Sequence, residues 1–310
     1  MEADRGINLE GGGEVSAQES AIGHIVNEPN AVYHANPAIS HSKLNVFRKR
    51  PILFKRQYID EVIKGSSGDH FTFGSAFHCA ILEPELFGDS YAIQPDEIKR
   101  RAGSAWDSFV ESSGGREILK YADYELIEKM TAQIAGNPYA MDLISSHGAV
   151  RESTFRTGKN IDGISLQCRP DVYNPNGCDF SAGIPYIADV KTVESYEKFE
   201  RQFYDFGYYR QSPFYRDVIS GVNAAIVPQR FFYIVVEKSE PFGCSVLEVD
   251  GLAMSEGTKE VAEDLAKFAK CLRENEWPNL PAHGHIGLPE WLLRRMDFEQ
   301  GIDMAQGGVE

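Results

Sequence analysis

Residues 163–193 read GISLQCRPDVYNPNGCDFSAGIPYIADVKTV. Two runs of strand composition, 163–173 and 185–193, flank a stretch rich in Asn, Pro and Gly, the residues that punctuate chains at turns. An antiparallel hairpin is expected. Side chains alternate faces along a strand, so Asp189 and Lys191 point the same way, about 6.5–7 Å apart. Asp171 stands near the end of the first strand, with seventeen residues between it and Asp189. It can therefore reach Asp189, and two carboxylates and an ammonium group meet at one spot. A surface ion pair would be the ordinary reading of such residues. The apolar run Tyr186-Ile187-Ala188 that leads directly into them argues against it.

Outward from the hairpin, 150–157 reads as a preceding strand. A helix-rich stretch over 195–220, strands over 230–238 and 243–249, and a helix over 256–275 follow. Upstream, 38–64 predicts two helices broken at Pro51, with Ser40 or Ser42 as N-cap. Further helices are expected over 70–83, 120–135 and 137–146, with a loop-rich stretch over 86–116. The order predicts an α/β fold: a central mixed sheet of about five strands flanked by helices, with an N-terminal helical portion. Residues 1–30 are expected to be a flexible tail, 31–295 a single domain and 296–310 a C-terminal tail.

The chain has 310 residues, 42% hydrophobic and 25% charged, with a formal charge of −15. That composition is ordinary for a globular chain with a substantial core. No apolar run is long enough to span a membrane, and no leader is expected from the acidic, glycine-rich N-terminus. Five scattered cysteines without a CxxC pair predict neither a disulfide framework nor a zinc knuckle, and fit a reducing cytoplasm. GxxxxGK[ST], GxSxG and HExxH are all absent, which excludes a P-loop motor and the commonest hydrolase motifs. His283-Gly-His285 reads as incidental.

The acidic balance lowers the expectation of a nucleic-acid partner, but binding depends on local charge. Lys43, Arg48, Lys49, Arg50, Lys55 and Arg56 fall within fourteen residues. They could hold phosphates, or form a solvated helix face. The aromatic run Phe203, Tyr204, Phe206, Tyr208 and Tyr209 lies close in sequence to the hairpin and could stack on bases or pack in the core.

Two aspartates with the carbonyl of Val190 suit a hard cation such as Mg2+, with Mn2+ as substitute. Such an ion acidifies water and offsets phosphate charge, and a nearby lysine stabilises developing negative charge. This is the residue set of phosphodiester hydrolysis.

The sequence resembles the PD-(D/E)xK nucleases of the RecB-like group, and within it the RecE-type phage exonucleases. Four segments carry the resemblance in the family's order, spanning about residues 33 to 240: AISHSKLNVFRKRPILFKR, GSAFHCAILEPELF, LQCRPDVYN with IADVKT, and Gln211-Ser-Pro-Phe-Tyr215. It implies that His78 is a metal ligand beside Asp171 and Asp189, that Glu152 assists the metal or the lysine, and that Gln211 and Tyr215 support the site from one helix face. Glu83 and Pro84 would only end their helix. Pro213 falls in the first helical turn if the helix begins near Arg210, where a missing amide costs little. DNA contacts are expected from Ser42, the six basic residues and Tyr209.

The implied activity is 5′→3′ digestion of one strand of linear duplex DNA. It would leave 3′ overhangs for recombination, with double-stranded DNA ends as substrate. A homo-oligomeric ring, a RecT-like annealing partner and a bacterial or phage-infected cell are implied with it. The alternatives are a structure-specific or single-strand nuclease with the same site, and a non-catalytic DNA- or protein-binding homologue.

Overall fold

The N-terminal segment already departs from the expected tail. In the computed structural model, β1 (Gly23–Ile25) pairs antiparallel with a strand more than a hundred residues later. Buried guanidinium groups need a carboxylate, and Glu28 supplies it: Arg156, 2% exposed, donates to both Glu28 oxygens at 3.0 Å. Arg169 donates to the Glu28 carbonyl at 2.8 Å and to Asn30 Oδ1 at 3.0 Å. The structure describes residues 21–63, 69–283, 286–288 and 295. Residues 1–20 and 296–310 of the expected tails, Lys64 of the expected helix and His285 lie outside the described residues. One compact unit runs to Trp277 and a second spans Pro278–Glu310. The site belongs to the first.

After β1 come α1 (Asn30–Ala35), α2 (His41–Lys49) and α3 (Pro51–Phe54), continued by a π-helical turn over Lys55–Ile59. Ser40 caps α2 by accepting from the Lys43 amide at 3.3 Å. Pro51 then breaks the helix and opens the next at its first position, where a missing N–H is harmless. Next are α4 (Asp69–Leu82), α5 (Pro84–Ser90), β2 (Tyr91–Ile93), α6 (Ser104–Ser112), β3 (Glu117–Leu119), α7 (Tyr121–Ala135) and α8 (Pro138–Ser145). The stretch 86–116 is thus not loop-rich. The parallel pairing of β2 with β3 joins segments distant in sequence, which no local pattern displays.

The second half contains β4 (Val150–Arg151), β5 (Thr154–Arg156), β6 (Gln167–Cys168), β7 (Val172–Asn174) and β8 (Tyr186–Val193). α9 (Phe199–Asp205), α10 (Tyr208–Val222), β9 (Arg230–Glu237), β10 (Cys244–Glu248) and α11 (Gly251–Glu274) follow. The central sheet has the order β10-β9-β8-β7-β4, with β8 and β9 parallel and the other neighbours antiparallel. The expected strand over 163–173 is split. Pro170 cannot donate to a ladder, so β6 pairs with β5 in a second sheet and β7 pairs with β8.

Both faces of the central sheet are covered. Ile187, Val193, Phe231, Tyr233 and Val235 pack with Phe214 and Val218 of α10 and Phe268 of α11. Ala188, Val190, Phe232, Ile234 and Val236 pack with Ala76 and Phe77 of α4, Ile127 of α7 and Leu143 of α8. β8 and β9 therefore read as nearly continuous apolar runs, as doubly covered parallel strands do. Asp189 and Lys191 share the alternation of Ile187 and Val193, so their side chains point into the α10 layer.

Candidate active site

Three elements converge at the end of the β7–β8 ladder. That ladder stops at the Val172–Ala188 pair, which frees the next polar groups on this edge of β8. Asp171 takes one of them: its Oδ2 accepts from the Val190 amide at 2.6 Å. The N–H and C=O of one extended residue leave the strand on the same edge, so the Val190 carbonyl faces the Asp171 side as well. From α4, His78 Nδ1 lies 3.5 Å from Asp171 Oδ1 and 3.9 Å from Glu152 Oε1.

Glu152 occupies the break between β4 and β5 with φ +47°, a left-handed conformation uncommon for glutamate. Its amide donates to the Asp171 carbonyl at 3.2 Å. The irregular backbone turns its carboxylate toward His78. Ligand atoms of His78, Glu152 and Asp171 all lie within 4.8 Å of one another.

Asp189, 2% exposed, is held from α10: Gln211 Nε2 donates to its Oδ1 at 2.7 Å. Its Oδ2 is buried against the Lys191 ammonium, with which it forms an ion pair. Lys191 Nζ also sits 4.8 Å from the centre of the Tyr208 ring and 5.8 Å from that of Tyr233. Tyr233, opposite Asp189 in the β8–β9 register, donates to the Tyr208 carbonyl at 2.8 Å and reaches Gln211 Oε1 at 3.4 Å. Tyr208 belongs to the aromatic run that the sequence offers for stacking, and here it covers the lysine instead. Tyr233 becomes visible only once the register of two distant parallel strands is known.

The electrostatics follow from burying these charges together. Burial and then the neighbouring Asp171 charge push Asp189 up to about 6, against the pull of Lys191. Burial would raise Asp171 too, but His78, by charge and hydrogen bond, together with Lys191 and the Val190 amide lowers it on balance. Burial favours neutral His78, yet Asp171 and then Glu152 raise it to about 10. Burial also opposes the Lys191 charge, but Asp189, Tyr208 and Asp171 together hold the ammonium above its ordinary range.

The arrangement fits a hard divalent cation. His78, Glu152 and Asp171 supply clustered donors beside a strand-edge carbonyl, while Asp189 is not among them, its carboxylate being held by Gln211 and Lys191.

Gln211 and Tyr215 lie on one face of α10, which begins at Tyr208 rather than near Arg210. Pro213 is therefore inside the helix, past the first turn. It cannot donate to the Tyr209 carbonyl, which instead accepts from Ser212 Oγ at 3.3 Å. Gly257 of α11 packs so close that a Cβ there would stand 2.1 Å from the same oxygen. Tyr215 is packed against Phe231, and burial, with Asp189 adding, holds its phenol well above the ordinary range.

The proposed phosphate-binding run does not form one surface. Lys43 is buried, its ammonium donating to the carbonyls of Asn36 and Ala38 at the end of α1. Arg48 pairs with Glu260 at 2.6 Å and Asp264 at 2.9 Å of α11. Lys55 pairs with Asp60 at 2.7 Å. Tyr209 is buried and donates to Glu260 at 2.9 Å, beside Arg210. Lys43, Arg48 and Tyr209 thus tie elements together: a helix packed on an acidic neighbour is the stronger demand on its cations. Ser42, Lys49 and Arg56 are exposed and Arg50 is half-buried.

A hairpin carrying Asp171, Asp189 and Lys191 on a mixed sheet, backed by a glutamine from the following helix, defines a PD-(D/E)xK-type nuclease core. The comparisons agree. Residues 40–285 match the PDDEXK-like domain of unknown function DUF3799, and the chain belongs to that family. A solved structure named "Putative exonuclease", from Eubacterium rectale, aligns with a TM-score of 0.58 at 14% identity, covering 84% of this chain and 95% of that one. At that identity the likeness concerns the fold. The structure of SSO0001 aligns over 64% of this chain and 86% of its own at 11% identity, with a TM-score of 0.26, and carries no argument. No protein of curated function matches significantly. Among the described residues no helix is long and apolar enough to cross a membrane.

Proposed function

We propose that this chain is a divalent-metal-dependent deoxyribonuclease that digests linear duplex DNA from an end. The observation that carries the reading is the convergence of Asp171 with His78 and Glu152 beside the buried Asp189–Lys191 pair. Asp171, His78, Glu152 and the Val190 carbonyl would hold the cation, beside Asp189. Mg2+ suits the carboxylates, and the imidazole makes Mn2+ an effective substitute. When bound, the ion supplies Lewis acidity, acidifying water and offsetting phosphate charge.

The chain's own groups do the rest. Lys191 carries a fixed positive charge to where the phosphoryl oxygens gain negative charge, and orients the attacking water. Gln211 holds Asp189 so that only one of its oxygens turns toward the lysine. Tyr208 and Tyr233 exclude solvent from the ammonium, which strengthens its electrostatic effect.

The resemblance to RecE-type enzymes supports 5′→3′ polarity, a 3′-overhang product, a ring-shaped homo-oligomer and a single-strand annealing partner serving recombination. A reducing cytoplasm in a bacterial or phage-infected cell is proposed with them, consistent with five free cysteines. The test is a linear duplex labelled at its 5′ or 3′ end, set against a closed circle, in Mg2+. Early release of the 5′ label with an intact circle supports the proposal. Cutting of the circle replaces it with an endonuclease on the same site. Gel filtration showing only monomers, with and without DNA, removes the ring.

A further inference from the structure

The five aromatic residues 203–209 near the site do not behave alike. Phe203 packs edge-on to Tyr233, ring centres 5.9 Å apart. Tyr208 covers the Lys191 ammonium, and Tyr209 is buried on Glu260. Tyr204 and Phe206 are instead 70% and 54% exposed. A scattered exposed aromatic needs no explanation. Here two lie within three residues on a rigid mount beside the candidate site.

The mount is the turn between α9 and α10. Gly207 adopts φ +70°, a left-handed conformation that favours glycine, and the Arg210 guanidinium packs over it. Asn45 of α2 donates to the Phe206 carbonyl at 3.4 Å and accepts from Arg210 at 3.3 Å. Tyr204 lies nearly parallel to Tyr209, 4° between planes and 5.8 Å between centres, which leaves its other face to solvent. Phe206 meets Tyr208 edge-on at 5.8 Å, and Tyr208 in turn covers Lys191 at 4.8 Å. Two contacts, each under 6 Å, separate an exposed ring from the lysine. Stacked bases rise about 3.4 Å each along a strand. A strand with a phosphate at Lys191 can bring one of its next few bases to Phe206.

We propose that Tyr204 and Phe206 form a stacking platform that receives unpaired bases of a DNA end and sets the strand's position relative to Lys191. The proposal rests on the nuclease reading above and deepens it: the favoured substrate is a frayed or single-stranded terminus. Aromatic stacking accepts any base, so the platform confers preference for unpaired strands without sequence selectivity. A mount fixed before binding loses little freedom when the base arrives.

The test is a single-stranded oligonucleotide carrying 2-aminopurine near its 5′ end, titrated with the full chain in Ca2+. The comparison is wild type against the Tyr204→Leu/Phe206→Leu double variant. Stacking quenches the fluorescent base in the wild type. In the double variant the quenching is largely lost and binding weakens about tenfold, roughly 1.4 kcal/mol, with an unchanged melting temperature. Equal quenching and affinity in the two proteins overturns the platform, as does a wild type that quenches nothing. A linear duplex whose frayed 5′ end carries 2-aminopurine, incubated in Mg2+, separates the two readings. Ring-dependent quenching without hydrolysis refutes the nuclease and keeps the platform, whereas hydrolysis without ring-dependent quenching refutes the platform alone.

Discussion

Gln211 Nε2 donates to Asp189 Oδ1 at 2.7 Å, so the position of one carboxylate in the sheet is set by a helix that begins nineteen residues later in the chain. Losing a hydrogen bond to a buried charge costs about 1.5–3 kcal/mol. Groups behind the ligands of a metal site affect metal affinity about 10- to 100-fold. Gln211→Ala is therefore expected to weaken Mn2+ binding by that factor in a calorimetric titration. Unchanged affinity would show that Asp189 needs no such support.

The charges of the metal-free site predict how stability varies with pH. His78 is raised to about 10, so its contribution is complete below its unfolded value of 6.5 and is lost as pH rises through 10. Asp189 is raised from 3.8 to about 6, so its contribution too is present below 3.8 and lost as pH rises through 6. Both act in the same direction. His41, lowered to about 3 by burial, acts oppositely below its unfolded value of 6.5, so in EDTA the melting temperature should fall between pH 7 and pH 9, and Ca2+ should flatten that dependence by replacing the protons. A melting temperature that rises between pH 7 and pH 9 in EDTA would contradict the assigned cluster.

Gly257 and Tyr209 make the closest helix–helix approach at the site. A Cβ on Gly257 would meet the Tyr209 carbonyl oxygen at 2.1 Å, with Pro213 Cγ at 3.0 Å behind it. Forcing extra atoms into such packing costs about 1–3 kcal/mol. Gly257→Ala should lower the denaturation midpoint accordingly and loosen α10, which carries Gln211. Wild-type stability in that variant would mean that the helices separate freely.

The basic run should divide by role. Arg48 bridges α2 to Glu260 and Asp264, so Arg48→Ala is expected to reduce stability. Lys49 and Arg56 are exposed. If they meet phosphates, Lys49→Ala or Arg56→Ala should each reduce the slope of log affinity against log salt by about 0.9, with stability retained. Identical salt slopes in all three variants would remove this face from the DNA path.

How much of this was legible in sequence depended on the range of the interaction. The β7–β8 hairpin was readable because alternation and turn residues are local signals, and they put Asp189 and Lys191 on one face. The helices around Pro51, and the Ser40 cap, were readable for the same reason. β1 was not, since its stability depends on Arg156 and Arg169 meeting Glu28 across more than a hundred residues. The basic residues misled for the converse reason. Six cations in fourteen residues look like a phosphate surface until Asp60 and the acidic side of α11 are seen to claim Arg48 and Lys55. Pro213 is tolerable by sequence only in a first helical turn; its actual accommodation, Ser212 Oγ on the freed carbonyl with Gly257 packed against it, depends on the neighbouring helix.

The most direct measurement is the initial rate of hydrolysis of linear duplex DNA in Mg2+ and in EDTA, for wild type, Lys191→Ala and Asp171→Asn. The account predicts cleavage by the wild type in Mg2+ alone and a loss of about a hundredfold or more in each variant, the scale on which single groups stabilising transition-state charge act. Cleavage that persists in EDTA, or survives Lys191→Ala undiminished, would contradict it.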